Sequence, residues 1–194
     1  MDILARGGGI LSTVRATRAA SLEELVSQTR QRARFAFRHG TTTMEVKTGY
    51  GLSLDSEIKQ LQAILALNQE GPLELVPTFL GAHAVPPEYQ GRSEAYVDLL
   101  CKEMLPGVYD WWHSEVPHQP LPFVDVFCER GAFDLAGSRR ILERAQEMGF
   151  PLKIHADEFE NLGGAALAAE LGAASADHLV KTSPADIRAL GRSQ

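Results

Sequence analysis

The stretch Lys153-Ile154-His155-Ala156-Asp157-Glu158-Phe159 decides how this chain is read. It follows Gly149-Phe150-Pro151, a helix stop that feeds a short buried strand. His155 stands where that strand ends and a loop begins. In parallel α/β barrels the strand C-termini carry the chemistry. A histidine there, with Glu158 three residues on, pairs a candidate metal ligand with a candidate acid or base. The bland reading is a buried histidine satisfied by a hydrogen bond. A second histidine, His178 in Ala176-Asp177-His178-Leu179, lies 23 residues further on, a distance that fits strand, helix, strand. Two histidines on successive strand ends favour the functional reading.

Working outward, the same alternation runs through most of the chain. Strands are predicted over 41–48, 73–80, 123–128, 152–156 and 174–177. Between them lie helices over 53–70, 92–105, 135–148 and 162–171, and Pro184 opens a last helix at its first position. Before them, Ser21 is a natural N-cap, with Glu23 and Glu24 in the first turn of a helix that stops at His39-Gly40. His39 reads as a helix-end residue. Gly7-Gly8-Gly9 permits a phosphate cradle, but no Gly-Lys-Ser/Thr follows, so residues 1–20 are predicted to be a flexible loop. Residues 107–122, rich in proline and aromatics, are predicted to be a surface insertion after a helix stopped by Pro106-Gly107. His113 and His118 then fall in a loop without a partner carboxylate.

Strand alternating with helix means a parallel sheet with right-handed crossovers. Five strands could complete a doubly wound sheet, but not a (β/α)8 barrel. The charges favour the barrel. Glu45 and Lys47 share one face of the first strand, Asp125 and Glu129 one face of the third, and Lys153 and His155 one face of the fourth. A doubly wound sheet, covered on both sides, reads as almost continuously apolar. A barrel interior accommodates charges that pair, and Lys153 is expected to lie there among Glu45, Lys47 and Asp125, paired with one of the two carboxylates.

Composition excludes several classes of function. The chain has 194 residues, 44% hydrophobic and 23% charged, as in soluble globular proteins. A net charge of −6 gives no footprint for nucleic acid and no polybasic membrane patch. No apolar run is long enough to span a bilayer. Two cysteines are too few for a disulfide framework and read as reduced thiols of a cytoplasmic protein.

Several stretches together carry a family likeness. The loop Thr78-Phe79-Leu80-Gly81-Ala82-His83-Ala84-Val85-Pro86-Pro87-Glu88-Tyr89 and the turn Lys47-Thr48-Gly49-Tyr50-Gly51-Leu52 resemble those of the imidazolonepropionases. So do Gly7 through Arg18, Val124-Asp125-Val126-Phe127-Cys128-Glu129, and the two histidine segments. That family lies in the amidohydrolase superfamily of metal-dependent hydrolases, and the likeness covers nearly the whole chain. It implies ring opening of 4-imidazolone-5-propanoate to N-formimidoyl-L-glutamate in histidine degradation, with Zn²⁺ or Fe³⁺ as the metal. By the resemblance, His155 is the metal ligand on the fifth barrel strand, and Glu158 contacts the substrate ring and handles a proton. Tyr50 and His83 bind substrate, and His178 positions or polarises the reacting carbonyl. The resemblance further implies a small-molecule substrate, no nucleic acid or membrane partner, and a cytoplasmic location; a homodimeric complete enzyme is compatible with it.

Some parts of the family pattern are missing: the His-x-His pair of the first strand, the arginine that holds the propionate, the aspartate of the eighth strand and a small β-sandwich. The expectation is therefore a single partial barrel domain over residues 1–194, strands two to six of eight, inactive by itself. Two rival readings remain open. One is another amidohydrolase such as a heterocycle deaminase. The other is a non-catalytic flavodoxin-like binding module, for which Gly49-Tyr50-Gly51-Leu52 is a poor phosphate loop.

Overall fold

Strand and helix alternate as the hydrophobic pattern predicts. In the computed structural model, which describes residues 10–193, two helices come first: α1 (Ile10–Ala19) and α2 (Leu22–Arg38). Ser21 caps α2 in a reciprocal box with Glu24, at 3.2 and 2.8 Å. Then follow β1 (Thr43–Lys47), α3 (Leu54–Glu70), β2 (Glu74–Ala82), a 3₁₀ turn (Pro87–Tyr89) and a long helix in three parts. These parts are α4 (Ser93–Leu99), a π-helical turn (Leu100–Met104) and α5 (Leu105–Glu115). The remainder is β3 (Phe123–Cys128), α6 (Leu135–Glu147), β4 (Lys153–Ala156), α7 (Gly164–Leu171), β5 (Ser175–His178) and α8 (Pro184–Leu190).

The five strands are parallel and lie in the order β1-β2-β3-β4-β5. A doubly wound sheet reverses its strand order at a switch point. This sheet has no reversal and curls into a half-barrel, an incomplete (β/α) barrel, which removes the flavodoxin-like reading. Helices cover its convex face. Val124, Val126, Cys128, Ile154 and Ala156 point into that layer and are fully buried, with Phe133, Ile141 and Leu142. The alternate residues (Asp125, Phe127, Lys153 and His155) line the concave face, as alternation requires.

Two expectations are corrected. Residues 10–19 form a helix, with Val14 buried, where a flexible loop is predicted; the triple glycine lies outside the described residues. The predicted insertion is instead largely helix, since the segment from Ser93 runs on past Pro106 to Glu115. A proline inside a regular helix costs about 3 kcal/mol, through a lost N–H bond and a clash with the carbonyl four residues back. The π-helical turn just before Pro106 relieves this conflict: the Leu105 N–H bonds back to the Leu100 carbonyl, five residues away. Gly107 then lets the helix press on α3, because a Cβ there would lie 2.6 Å from a Leu54 methyl. Leu100, Met104, Leu105, Val108 and Trp112 are all buried as a result. His113 belongs to this helix, its Nδ1 2.9 Å from the Tyr109 carbonyl.

Candidate active site

Each strand delivers a polar group at its C-terminal end. His155, on β4, lies in register between Phe127 of β3 and Asp177 of β5. Its Nδ1 is 3.0 Å from Oδ1 and 2.9 Å from Oδ2 of Asp125. That bond leaves Nε2 as the ring nitrogen not engaged by Asp125. Asp125 is fully buried and also meets the Lys47 ammonium at 2.7 Å. Lys47 reaches Glu45 at 2.9 Å and Asp177 at 3.2 Å, so one ammonium joins three carboxylates from β1, β3 and β5. Lys153 pairs with Glu45 at 3.1 Å and lies over the Phe123 ring, as its strand face predicts.

Electrostatics follow from this packing. Burial raises the Asp125 carboxyl, but His155 and Lys47 outweigh burial and hold it below the usual carboxylate range. For Lys47, burial works downward and is overcome by Asp125 and Glu45, so the ammonium is held well above its ordinary value. Burial lowers His83, against the bond to the Gly49 carbonyl, which raises it.

The remaining candidates form one continuous row. The Tyr50 ring stands edge-on to His83 at 5.0 Å between centroids. His83 lies 6.5 Å from His155, and His155 lies 5.2 Å from His178. His178 Nε2 is 3.5 Å from a Glu158 carboxylate oxygen. A cavity of about 220 Å³ opens beside His83 and Phe127, walled also by Ile10, Ala132 and Phe159. Backbone strain collects here too. The non-glycine residues with positive φ among those described are Leu52, Asp157, His178 and Leu179, at or just beyond the C-terminal ends of strands. A cleft at the opposite end, near Arg30, Arg34 and Leu73, holds none of these groups.

Two buried carboxylates hold the loops that carry this row. Glu57 accepts the backbone N–H groups of Gly49, Gly51 and Leu52 at 2.8, 2.8 and 2.7 Å, which fixes the turn around Tyr50. Glu129 accepts those of Phe159 and Glu160 at 2.8 and 3.3 Å, which fixes the loop after Glu158.

The sequence was compared with curated proteins. A relative from Symbiobacterium thermophilum is 60% identical over 182 residues, covering 94% of this chain and 41% of its own length. Relatives from Chloroflexus aggregans and Herpetosiphon aurantiacus are 55% and 54% identical over 194 and 193 residues, and 45% of each is covered. All three are named imidazolonepropionase. Over this matched part the chain is similar to the imidazolonepropionases. It spans less than half the length of the curated relatives it matches. No family model matches it.

Set beside the imidazolonepropionase likeness, all five expected residues (Tyr50, His83, His155, Glu158 and His178) stand on the same mouth of the sheet. The sequence reading passed over Asp177, Glu57, Arg18 and the hub role of Lys47. Asp177 had a signal, since it adjoins His178 and its strand offers the side chain that faces His155. Glu57 had a weaker one, an acid in the first turn of the helix after a glycine-rich turn. Asp125, His155 and Asp177 place ligand atoms within 4.8 Å of one another and form the one such group among the described residues. The Lys47 ammonium already occupies the carboxylate side of that group. The ring nitrogen of His155 that Asp125 holds has the usual support of a histidine ligand, which leaves the other nitrogen as the one that could take a cation.

Proposed function

We propose that this chain carries the central part of an imidazolonepropionase, which hydrolyses the ring amide of 4-imidazolone-5-propanoate to N-formimidoyl-L-glutamate. The observation that carries the reading is identity of 54–60%, along essentially the whole chain, to relatives bearing that name. In this reading the chain supplies strands two to six of an eight-stranded barrel, and the first strand, the last two and a small β-sandwich come from the rest of the polypeptide. Substrate is a small molecule, the complete enzyme is cytoplasmic, and a homodimer is compatible with it. None of the described helices is long and apolar enough to cross a membrane.

His155 would hold Zn²⁺ or Fe³⁺ through Nε2, with further ligands from strands outside this chain. When bound, such an ion makes hydroxide available at neutral pH. The chain's own residues do the rest. Tyr50 and His83 orient the ring and its propionate by hydrogen bonds. His178 donates to the carbonyl oxygen as negative charge develops there. As water oxygen bonds to the carbonyl carbon, the ring C–N bond breaks and its nitrogen needs a proton. Glu158, 3.5 Å from His178, takes the proton that the attacking water loses and delivers it to that nitrogen.

The test uses the full-length polypeptide. His155→Ala is expected to lose most bound metal and nearly all ring opening. Glu158→Gln is expected to keep metal and lose about 10²-fold or more in turnover, the scale of a proton-transfer group. A His155→Ala protein with full metal content removes the ligand role. Ammonia release in place of ring opening would point to a heterocycle deaminase.

A further inference from the structure

We propose that Glu57 is a positioning residue: its buried carboxylate shapes the Gly49–Leu52 turn and, through the Gly49 carbonyl, holds His83 in the tautomer protonated on Nδ1. The inference deepens the reading of Tyr50 and His83 as substrate-binding groups and rests on it. Glu57 lies in the first turn of α3 and is fully shielded from solvent. A buried carboxylate is costly unless it is paired or well hydrogen-bonded. Here three backbone amides converge on it, with Oε2 taking Gly49 and Oε1 taking Gly51 and Leu52. Such a concave set of N–H groups is an anion nest, and the N-terminus of α3 adds its partial positive charge.

With its amides turned inward, the turn presents carbonyls to other partners. Arg18 Nε donates to the Gly51 carbonyl at 2.6 Å, and its terminal nitrogen meets the Leu52 carbonyl at 3.4 Å. Arg18 also pairs with Glu88, in the segment beyond His83. The Gly49 carbonyl lies 3.0 Å from Nδ1 of His83. A carbonyl oxygen only accepts, so Nδ1 carries the proton. In the neutral ring Nε2 is then an acceptor, suited to a ring N–H of the substrate. Gly49 has φ of +97°, and a Cβ there would lie 2.7 Å from the Leu80 carbonyl oxygen. The turn therefore has little freedom to reach this geometry another way. Tyr50, between the amides held by Glu57, owes its edge-on placement against His83 to the same turn.

The experiment is Glu57→Gln in the full-length polypeptide, read by ¹⁵N NMR of the histidines and by steady-state kinetics. Glutamine keeps the size but sets an NH₂ group against backbone N–H donors. The expected result is loss of the single Nδ1–H signature of His83, unchanged metal content, and kcat/KM lower by about 10²-fold, mostly through KM, the scale of a misplaced binding group. A folded Glu57→Gln protein with its His83 signature and KM unchanged overturns the proposal. Should that variant not fold, Arg18→Met, which loosens the turn from its carbonyl side, carries the same readout, and an unmoved His83 signature there overturns it equally. A His83 signature that responds to Glu57→Gln in a polypeptide that opens no imidazolone ring supports the positioning role and removes the functional reading instead.

Discussion

At His155 one ring nitrogen is committed to Asp125, and Asp125 is committed in turn to Lys47. Replacing Asp125 by Asn keeps an acceptor for the ring but removes the charge that fixes its tautomer and basicity. Asp125→Asn is expected to weaken metal binding by the full-length polypeptide about 10- to 100-fold, the usual effect of losing such a support. Competition with a chelator measures it, and an unchanged affinity would mean that Asp125 serves only the ion-pair network. The sequence displayed these residues on one strand face but not their pairing. Alternation says which side chains share a face. Which ammonium meets which carboxylate depends on register across neighbouring strands, and that was not legible. Lys153 thus takes Glu45, while Lys47 takes Asp125 and reaches across to Asp177.

Among the elements, the strands of the concave face are tied together by charge, and that tie depends on pH. Burial raises Glu45, but hydrogen bonds from Thr78, Lys47 and Lys153 outweigh it and leave the carboxyl lowered, as Asp125 is. A carboxyl whose folded value is lowered contributes stability that is full above its unfolded value, about 4, and is lost as pH falls through the folded one. Lys47, raised, contributes fully below its ordinary value of 10.5 and loses that contribution only far above neutrality. The urea midpoint of the folded chain is therefore expected to fall as pH drops below about 4, and Glu45→Gln should shrink that dependence. A midpoint that stays flat into strong acid would count against the network. Helix and strand positions were legible from hydrophobic period, from the Ser21 cap and from Pro184 at the start of the last helix. The stop placed at Pro106-Gly107 was wrong because a π-helical turn carries the helix past the proline. The apolar positions Leu100, Met104, Leu105, Val108 and Trp112 continue at helical spacing across it, so that signal was present and was outranked by the proline.

For the whole molecule, the strand count and the polar interior could be read from sequence. Alternating strands and helices fit both a doubly wound sheet and a barrel; the charges on one face of several strands are what pointed to the barrel, whose strands lie in chain order. Among the described residues β1 and β5 each have a single strand neighbour, and large apolar side chains such as Phe35, Phe159, Val180 and Ile187 are exposed. Unpaired edges and apolar surface favour association. Purified as 194 residues, the chain is expected to self-associate, hold metal weakly after dialysis and leave imidazolone absorbance unchanged. Of the three potential ligands Asp125, His155 and Asp177, the two carboxylates already hold the Lys47 ammonium, which leaves fewer than the three protein ligands usual for catalytic zinc. A monomer with one tightly held metal and measurable turnover would show the site to be complete as it stands.

The unbroken strand order also bears on how the molecule comes to be assembled. Among the described residues every strand after β1 hydrogen-bonds to the one synthesised just before it, so the order of translation is also the order of pairing. At about 5–20 residues per second the 22 to 49 residues between successive strand starts take seconds, whereas a helix forms in about a microsecond. Each strand–helix unit has time to settle on the growing edge before the next emerges. Among the described residues no strand waits for a partner made much later, and Lys47 precedes Asp125 and Asp177 in the chain.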